Sequence, residues 1–356
     1  MPSFFSRRYQ DEPSDSDALT PNPPLRQAGP VGVLMINLGT PDQPTASAIR
    51  RYLAEFLSDP RVIELPPWLW QVILRGVILN LRPRKLEPRY QEIWLEQGSP
   101  LLVWSQAQAE GVQVVLRGSG VDVHVAVGMR YGNPSIDLAL NELRGKGCER
   151  ILVVPMYPQY AASTTATAAD AVAASAARMR NQPQFRFIKR YNTDPAYIDA
   201  LSAQVRQFWQ LHGKPQRLLL SFHGLPRVTV EQGDPYHRDC METAQALRDS
   251  LGQDGDRVYV SFQSRFGAQR WLEPYTQPTL EQWAAQGITD VQVMCPGFLA
   301  DCLETLEEIQ MQCREAFLKH GGRQFQYIPC LNDDSAWLEG LAGIIRREAS
   351  GWLDER

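Results

Sequence analysis

Short, unbroken apolar runs, each cut off by Gly or Pro and followed by a segment of helix length, recur along this chain and constrain its fold more than any other feature. Val31-Gly32-Val33-Leu34-Met35-Ile36-Asn37-Leu38 ends at Gly39-Thr40-Pro41, Arg150 to Pro155 ends at its own proline, and Leu218 to His223 ends at Gly224-Leu225-Pro226. Val291 to Cys295 ends at Pro296. Continuous rather than alternating hydrophobicity belongs to strands covered on both faces, and helices on either side of a parallel sheet supply that cover. Helices are expected over Ala46–Leu57, Tyr90–Glu96, Pro100–Leu116 and 134–144, the last before the Arg150 run. An Ala-rich helix to about Arg178 has Ser163 or Thr164 as its expected N-cap. The rhythm restarts after a helix over Pro195–Leu211, so the reading is two similar doubly wound α/β domains, 31–190 and 191–356, with a cleft between them. Residues 1–30, rich in Pro, Ser and Asp, are expected to be a disordered leader.

At 356 residues the chain has room for two domain cores. A net charge of −4 argues against a nucleic-acid surface. The six cysteines include no C-x-x-C pair, and no signal-length apolar segment opens the chain, which points to a reducing cytoplasm and buried thiols. Neither G-x-G-x-x-G nor a phosphate-binding G-x-x-x-x-G-K-[ST] loop is present, so nucleotide chemistry is not expected.

His223 stands at the carboxyl end of an expected buried strand, where open α/β sheets place their ligands. A neutral imidazole there accepts a proton near neutral pH or binds a divalent metal, although a satisfied histidine at a strand end is the commoner case. His124, inside a strand, and His237, at a helix start, read as structural. Past the Val291 strand, Asp301, Glu304 and Glu308 fall at i, i+3 and i+7, on one face of an α-helix, beside an apolar stripe of Cys302, Leu306, Ile309 and Cys313. Helix-dipole pairing accounts well for Asp301 and poorly for Glu308. A histidine with such a face suits proton relay or a borderline cation such as Fe2+. Residues 65–80 carry Trp68, Trp70 and a dense aliphatic run, too short to span a bilayer. They read equally as a core helix or as an exposed lip for a flat ligand or a membrane surface. Arg82 to Lys85 puts cations directly behind it.

These pieces together resemble the ferrochelatase family. The resemblance runs from about Val31 to the C-terminal helix. It is carried by Ser221-Phe222-His223-Gly224-Leu225-Pro226, Tyr157-Pro158-Gln159-Tyr160 with Ser163-Thr164-Thr165, and Asp301 to Glu308. Asn37 to Pro41, Gly98 to Leu101 and Gly233-Asp234-Pro235-Tyr236 add to it, all in the family's order. It implies a lyase that inserts Fe2+ into a porphyrin with loss of two protons. By the same resemblance, His223 and Glu304 are the catalytic and metal-meeting pair, and Asp301 and Glu308 a proton or metal path on a helix that often widens to π geometry. Arg130, Tyr131 and Tyr157 would form one wall, and Trp271 and Phe298 would press on the macrocycle. Arg82 and Lys85 would lie near the propionates, with Tyr90 and Ser99 as further polar contacts. The lip would touch the inner membrane peripherally. Leu38, where coproporphyrin-type members tend to have Tyr, leans toward protoporphyrin IX. Cys302 departs from the histidine of other members, Gly224 takes one of two residues seen, and Ala162 stands where some members place a ligand. With Cys330 the last cysteine, no 2Fe–2S cluster and no cofactor beyond substrate Fe2+ are expected. Two rivals remain at this point. One is a chelatase for Co2+ or Ni2+ and another tetrapyrrole, whose smaller members usually show a second site histidine. The other is a porphyrin carrier, which would not need the acidic face. The oligomeric state is not legible.

Overall fold

The first apolar run becomes β1 (Val31–Thr40), buried along its whole length except at Leu38. In a computed structural model of the chain, residues 29–265, 267 and 269–353 are described. Apart from Gly29 and Pro30, the leader therefore lies outside the described residues. β1 is followed by α1 (Ala46–Phe56), α2 (Pro67–Ile73), α3 (Leu79–Ile93), α4 (Pro100–Gly118), β2 (Val123–Gly132) and α5 (Ile136–Gly145). Then come β3 (Arg150–Pro155), α6 (Thr167–Ala176), β4 (Gln184–Phe187) and α7 (Pro195–His212). The second series runs β5 (Arg217–His223), α8 (Arg227–Glu231), α9 (Tyr236–Leu251), β6 (Val258–Gln263), α10 (Thr276–Ala285), β7 (Asp290–Met294), α11 (Arg314–Lys319), β8 (Gln324–Tyr327) and α12 (Ser335–Glu348).

The described strands form two parallel sheets, ordered β2-β1-β3-β4 and β6-β5-β7-β8. One four-strand pattern occurs twice. In each sheet the chain switches direction across its first strand, which opens a crevice at the strands' carboxyl ends. Leu38 and His223 sit at those two ends. The duplication extends to detail. Gln184–Phe187 and Gln324–Tyr327 are the edge strands, and Asp194 and Asp334 then cap α7 and α12, their carboxylates accepting from Ala196 N and Trp337 N. A single large apolar cluster joins residues of both sheets. Gln108 of α4 donates to the carbonyls of Leu299 and Asn332 at 2.6 and 2.7 Å, and Arg346 of α12 donates back to Val115 O.

Three local expectations change. The Tyr90 segment is not a separate helix: α3 runs unbroken from Leu79 through Pro83 and Pro88 to Ile93. Its surroundings outweigh the missing N–H groups, because Leu79, Pro83, Tyr90 and Ile93 are all buried. Neither Ser163 nor Thr164 caps the Ala-rich helix, which starts with a π turn over Ala162–Ala166. Its cap comes from the other half of the chain, where Asp234 accepts from Ala162 N at 2.7 Å. Third, Glu304–Cys313 is π-helical and passes into α11, so 100° per residue does not describe it. Asp301 precedes this helix rather than lying on its face.

Residues 65–80 turn out to have two faces. Trp70, Leu74 and Leu79 are buried against Ile49, Leu53 and Leu57, and Trp70 Nε1 donates to Leu57 O at 2.6 Å. Trp68 and Val72 face outward, 75% and 71% exposed, with Val77 and Leu81 beside them. Among the described residues, no helix is long and apolar enough to cross a membrane.

Candidate active site

β5 delivers His223 to the crevice because Leu218–Phe222 is an apolar run that pairs on both sides in register, leaving the histidine as the last strand residue opposite Gln263. Gly224 then turns the chain. A Cβ there would come within 2.8 Å of Gln263 O and 3.1 Å of the Trp271 ring, so a larger residue would push the aromatic wall away from the strand end. Nδ1 of His223 lies 2.7 Å from Gly224 O. A carbonyl only accepts, so Nδ1 carries the hydrogen and Nε2 the lone pair of the neutral ring. Nε2 has no hydrogen-bond partner among the described residues. Phe298, from the loop after β7, stands 6.4 Å away, ring centre to ring centre.

Glu308 is near enough to Glu304 and, when its ring is protonated, to His223 for their charges to act on it. Burial raises its carboxyl above the ordinary range, partly offset by Ser264 and His223, while Glu304 adds to the rise. Ser264 donates its backbone N–H and its hydroxyl to the two Glu308 oxygens, at 2.7 and 2.5 Å. It does so from a left-handed conformation, φ 65°, that is uncommon for a non-glycine residue. Gln263 donates to Glu304 O at 2.7 Å and accepts from Ser221 at 2.6 Å, fixing the helix start to the strand that carries the histidine. Ser264 and Gln263 belong to the site, yet nothing in the local pattern of Gln263-Ser264-Arg265 distinguishes them from an ordinary strand-end loop.

Other expected residues fall in varied places. Asp301 accepts from Thr305, Tyr327 and Asn332 at 2.8, 2.6 and 2.7 Å, so its carboxylate anchors the turn before the helix. Arg130 and Tyr131 both bond Asp59 Oδ2, at 2.5 and 2.9 Å, and Thr167 donates to the same oxygen. Tyr131 is wholly buried, so it supports a wall from behind. Tyr157 has a buried hydroxyl, and Trp271 a buried indole N–H, with no partner among the described residues. Burial pushes the Tyr157 phenol up, so it stays neutral. Ser99 is buried and accepts from the Thr40 hydroxyl at 2.7 Å. Tyr90 is buried too, its phenol raised by burial and then by Glu304.

Lys85 is exposed, whereas Arg82 turns inward. Burial lowers the Arg82 pKa, and Glu304 is the largest influence raising it. The two cations behind the lip thus face different surroundings. No cluster of three or more His, Cys, Asp or Glu side chains able to cage a metal ion occurs among the described residues.

The architecture has solved counterparts. SirB from Bacillus subtilis with Fe3+ superposes with a TM-score of 0.50 at 16% identity, covering 70% of this chain and 93% of that one. The sirohydrochlorin chelatase SirB from Bacillus subtilis subspecies spizizenii in complex with cobalt also gives 0.50, at 13% identity, covering 92% and 100%. The class is therefore the chelatase-like α/β fold. Within it, the chain belongs to the ferrochelatase family, whose model matches residues 30–349. A ferrochelatase of Bordetella pertussis is 59% identical over 349 residues, 98% of this chain and 96% of that protein. One of Azoarcus sp. is 58% identical over 322 residues, 90% and 88%.

Proposed function

We propose that this chain inserts Fe2+ into protoporphyrin IX, with release of two protons, in the crevice at the carboxyl ends of the two sheets, and so acts as the lyase of the terminal step of haem biosynthesis. One observation carries the site assignment: His223 has its Nδ1 hydrogen committed to Gly224 O, which leaves Nε2 open, and Glu308 feels both His223 and Glu304. A free-base porphyrin must lose two pyrrole protons while Fe2+ sheds water. A neutral imidazole and a carboxylate are suitable acceptors for the first task and suitable polar ligands for the second. His223 and Glu304 share those tasks, and Glu308, held ready to take up a proton by its burial, extends the path away from them. Asp301 serves that path by fixing the turn from which the helix starts.

Trp271 and Phe298 hold the macrocycle bent toward a geometry that exposes its nitrogen lone pairs. Tyr157 faces it from the other half, with Arg130 and Tyr131 held on Asp59 as the backing of that wall, and Leu38 sets the preference for protoporphyrin. Arg82 and Tyr90 set the charge around Glu304 and bound the inner end, while Lys85 is the cation free to meet a propionate at the rim. Residues 31–190 and 191–356 act as the two walls. Fe2+ enters as substrate, and no resident cofactor or cluster is assigned. The outward face of Trp68, Val72, Val77 and Leu81 rests on the inner membrane, so that an apolar porphyrin passes between bilayer and crevice without crossing water.

Anaerobic Fe2+ insertion into protoporphyrin IX, followed by the Soret shift, tests the activity; binding of porphyrin without turnover under any divalent metal would replace it with the carrier reading. Flotation with anionic vesicles tests the membrane contact. Trp68→Ser/Val72→Ser should lower the bound fraction at least severalfold, and a wild-type chain that stays at the bottom of the gradient removes the proposal.

A further inference from the structure

The acidic helix poses a question that its catalytic residues do not answer. π-Helical hydrogen bonding is rare and usually confined to a single turn, yet here it holds from Glu304 to Cys313. Something must favour it over the α register that α11 adopts directly afterwards.

Glu307 supplies the clue. It is 7% exposed, and its Oε1 accepts from Gln312 Nε2 at 2.5 Å. The two residues are five apart. In an α-helix five positions span about 500°, which leaves side chains about 140° apart, on different faces. In a helix closed by i→i+5 bonds the fifth residue returns close above the first, and the two side chains meet. The contact thus exists in one register and not in the other. Losing it would leave a buried carboxylate short of a donor, which is costly. Among the described residues the cation nearest Glu307 is Arg89 of α3, at 3.5 Å and half exposed, a geometry that adds little alone but ties the helix to the segment behind the lip.

We propose that the Glu307–Gln312 pair is a register lock, making both positioning residues for Glu304 and Glu308. The inference rests on the reading of those two carboxylates as working groups. Glu308 reaches Ser264 N and Oγ from the π register, and rewinding the helix would rotate it against Glu304 and pull it off both donors.

The test transposes the amide. Met311→Gln/Gln312→Met moves the donor to four residues from Glu307, a spacing that an α-helix also brings onto one face, and so removes the contact that only the π register makes. Crystal structures report the register, and steady-state Fe2+ insertion reports the chemistry. The transposed variant is expected to wind 304–313 as an α-helix and to lose about tenfold or more in kcat, as misplaced catalytic groups do, with the porphyrin KM changed less than twofold. Glu307→Gln keeps an acceptor for Gln312 and is expected to retain the π register and turnover near wild type. A transposed variant that stays π-helical overturns the lock, whether or not it turns over. An α-helical variant with wild-type kcat upholds the lock and overturns the assignment of Glu304 and Glu308.

Discussion

The two halves of the chain are built on one strand order, and Asp59 in the first and Glu308 in the second are carboxylates that burial and hydrogen bonding treat in opposite ways. In the first half Asp59 gathers Thr167, Tyr131, Arg130 and the Arg61 N–H. Burial pushes its carboxyl up, but those hydrogen bonds and the Arg130 charge outweigh it and hold the group below the ordinary range. In the second half Glu308 has, among the described residues, one serine as its hydrogen-bonding neighbour, and burial prevails, raising it. The helix after β3 opens with five π-helical residues, and the one after β7 with ten. The shared strand order gives each half an equivalent strand end. In the first half Asp59, Arg130, Tyr131 and Thr167 close on one another, while the second keeps open valence at His223 Nε2 and a less favourable ionisation at Glu308. Local rules are expected to break at working sites, and the longer π-helical run and the left-handed Ser264 both lie in the second half.

Four substitutions sharpen or break that contrast. Glu304→Gln keeps the shape and removes the charge, and should lower Fe2+ insertion by about 10²–10³-fold, the range of a lost acid–base group, with porphyrin fluorescence titration showing binding retained. Equal loss in a fully folded Asp59→Ala protein would abolish the distinction between the halves. That second variant should instead lose about 3 kcal/mol in urea unfolding, because it leaves Arg130 facing no carboxylate, while turnover per folded molecule changes far less.

The third test is pH. Glu308 has a raised folded pKa, so its contribution is intact below the ordinary glutamate value of 4.5 and is lost as pH rises through the folded value. Glu308→Gln should match wild type in thermal stability below pH 4.5 and gain on it above. Asp59 runs the other way, its contribution present above 3.8 and lost as pH falls through its lower folded pKa. Equal pH dependence in the two variants would contradict the comparison. The smallest effect belongs to Tyr157→Phe. It removes a hydroxyl with no partner among the described residues and should change stability by less than about 0.5 kcal/mol, while weakening porphyrin binding by a few fold.

Periodicity made the sheets legible, since strands buried on both faces leave continuous apolar runs, and Arg150–Pro155 is a strand with those bounds. His223 was legible as a strand end. What could not be read locally were partners distant in sequence. The Ala162 helix is capped by Asp234, 72 residues on, and Arg130 turns away to Asp59, 71 residues back. The same applies to Ser264, whose value lies in a backbone conformation and in a glutamate 44 residues later. For the acidic helix a 3.6-residue template puts Asp301 on the face and gives the wrong winding, because the i, i+5 contact of Glu307 and Gln312 is invisible to it. The lip reads two ways for a physical reason: one face packs and the other does not, so each half of its composition describes one side.

The most direct measurement compares wild type with His223→Ala in anaerobic Fe2+ insertion into protoporphyrin IX. The account predicts turnover by the wild type and, in the variant, a loss of about 10²–10⁴-fold with porphyrin still bound. A His223→Ala protein that inserts iron at the wild-type rate would place the chemistry elsewhere and contradict the assignment of the second half as the working one.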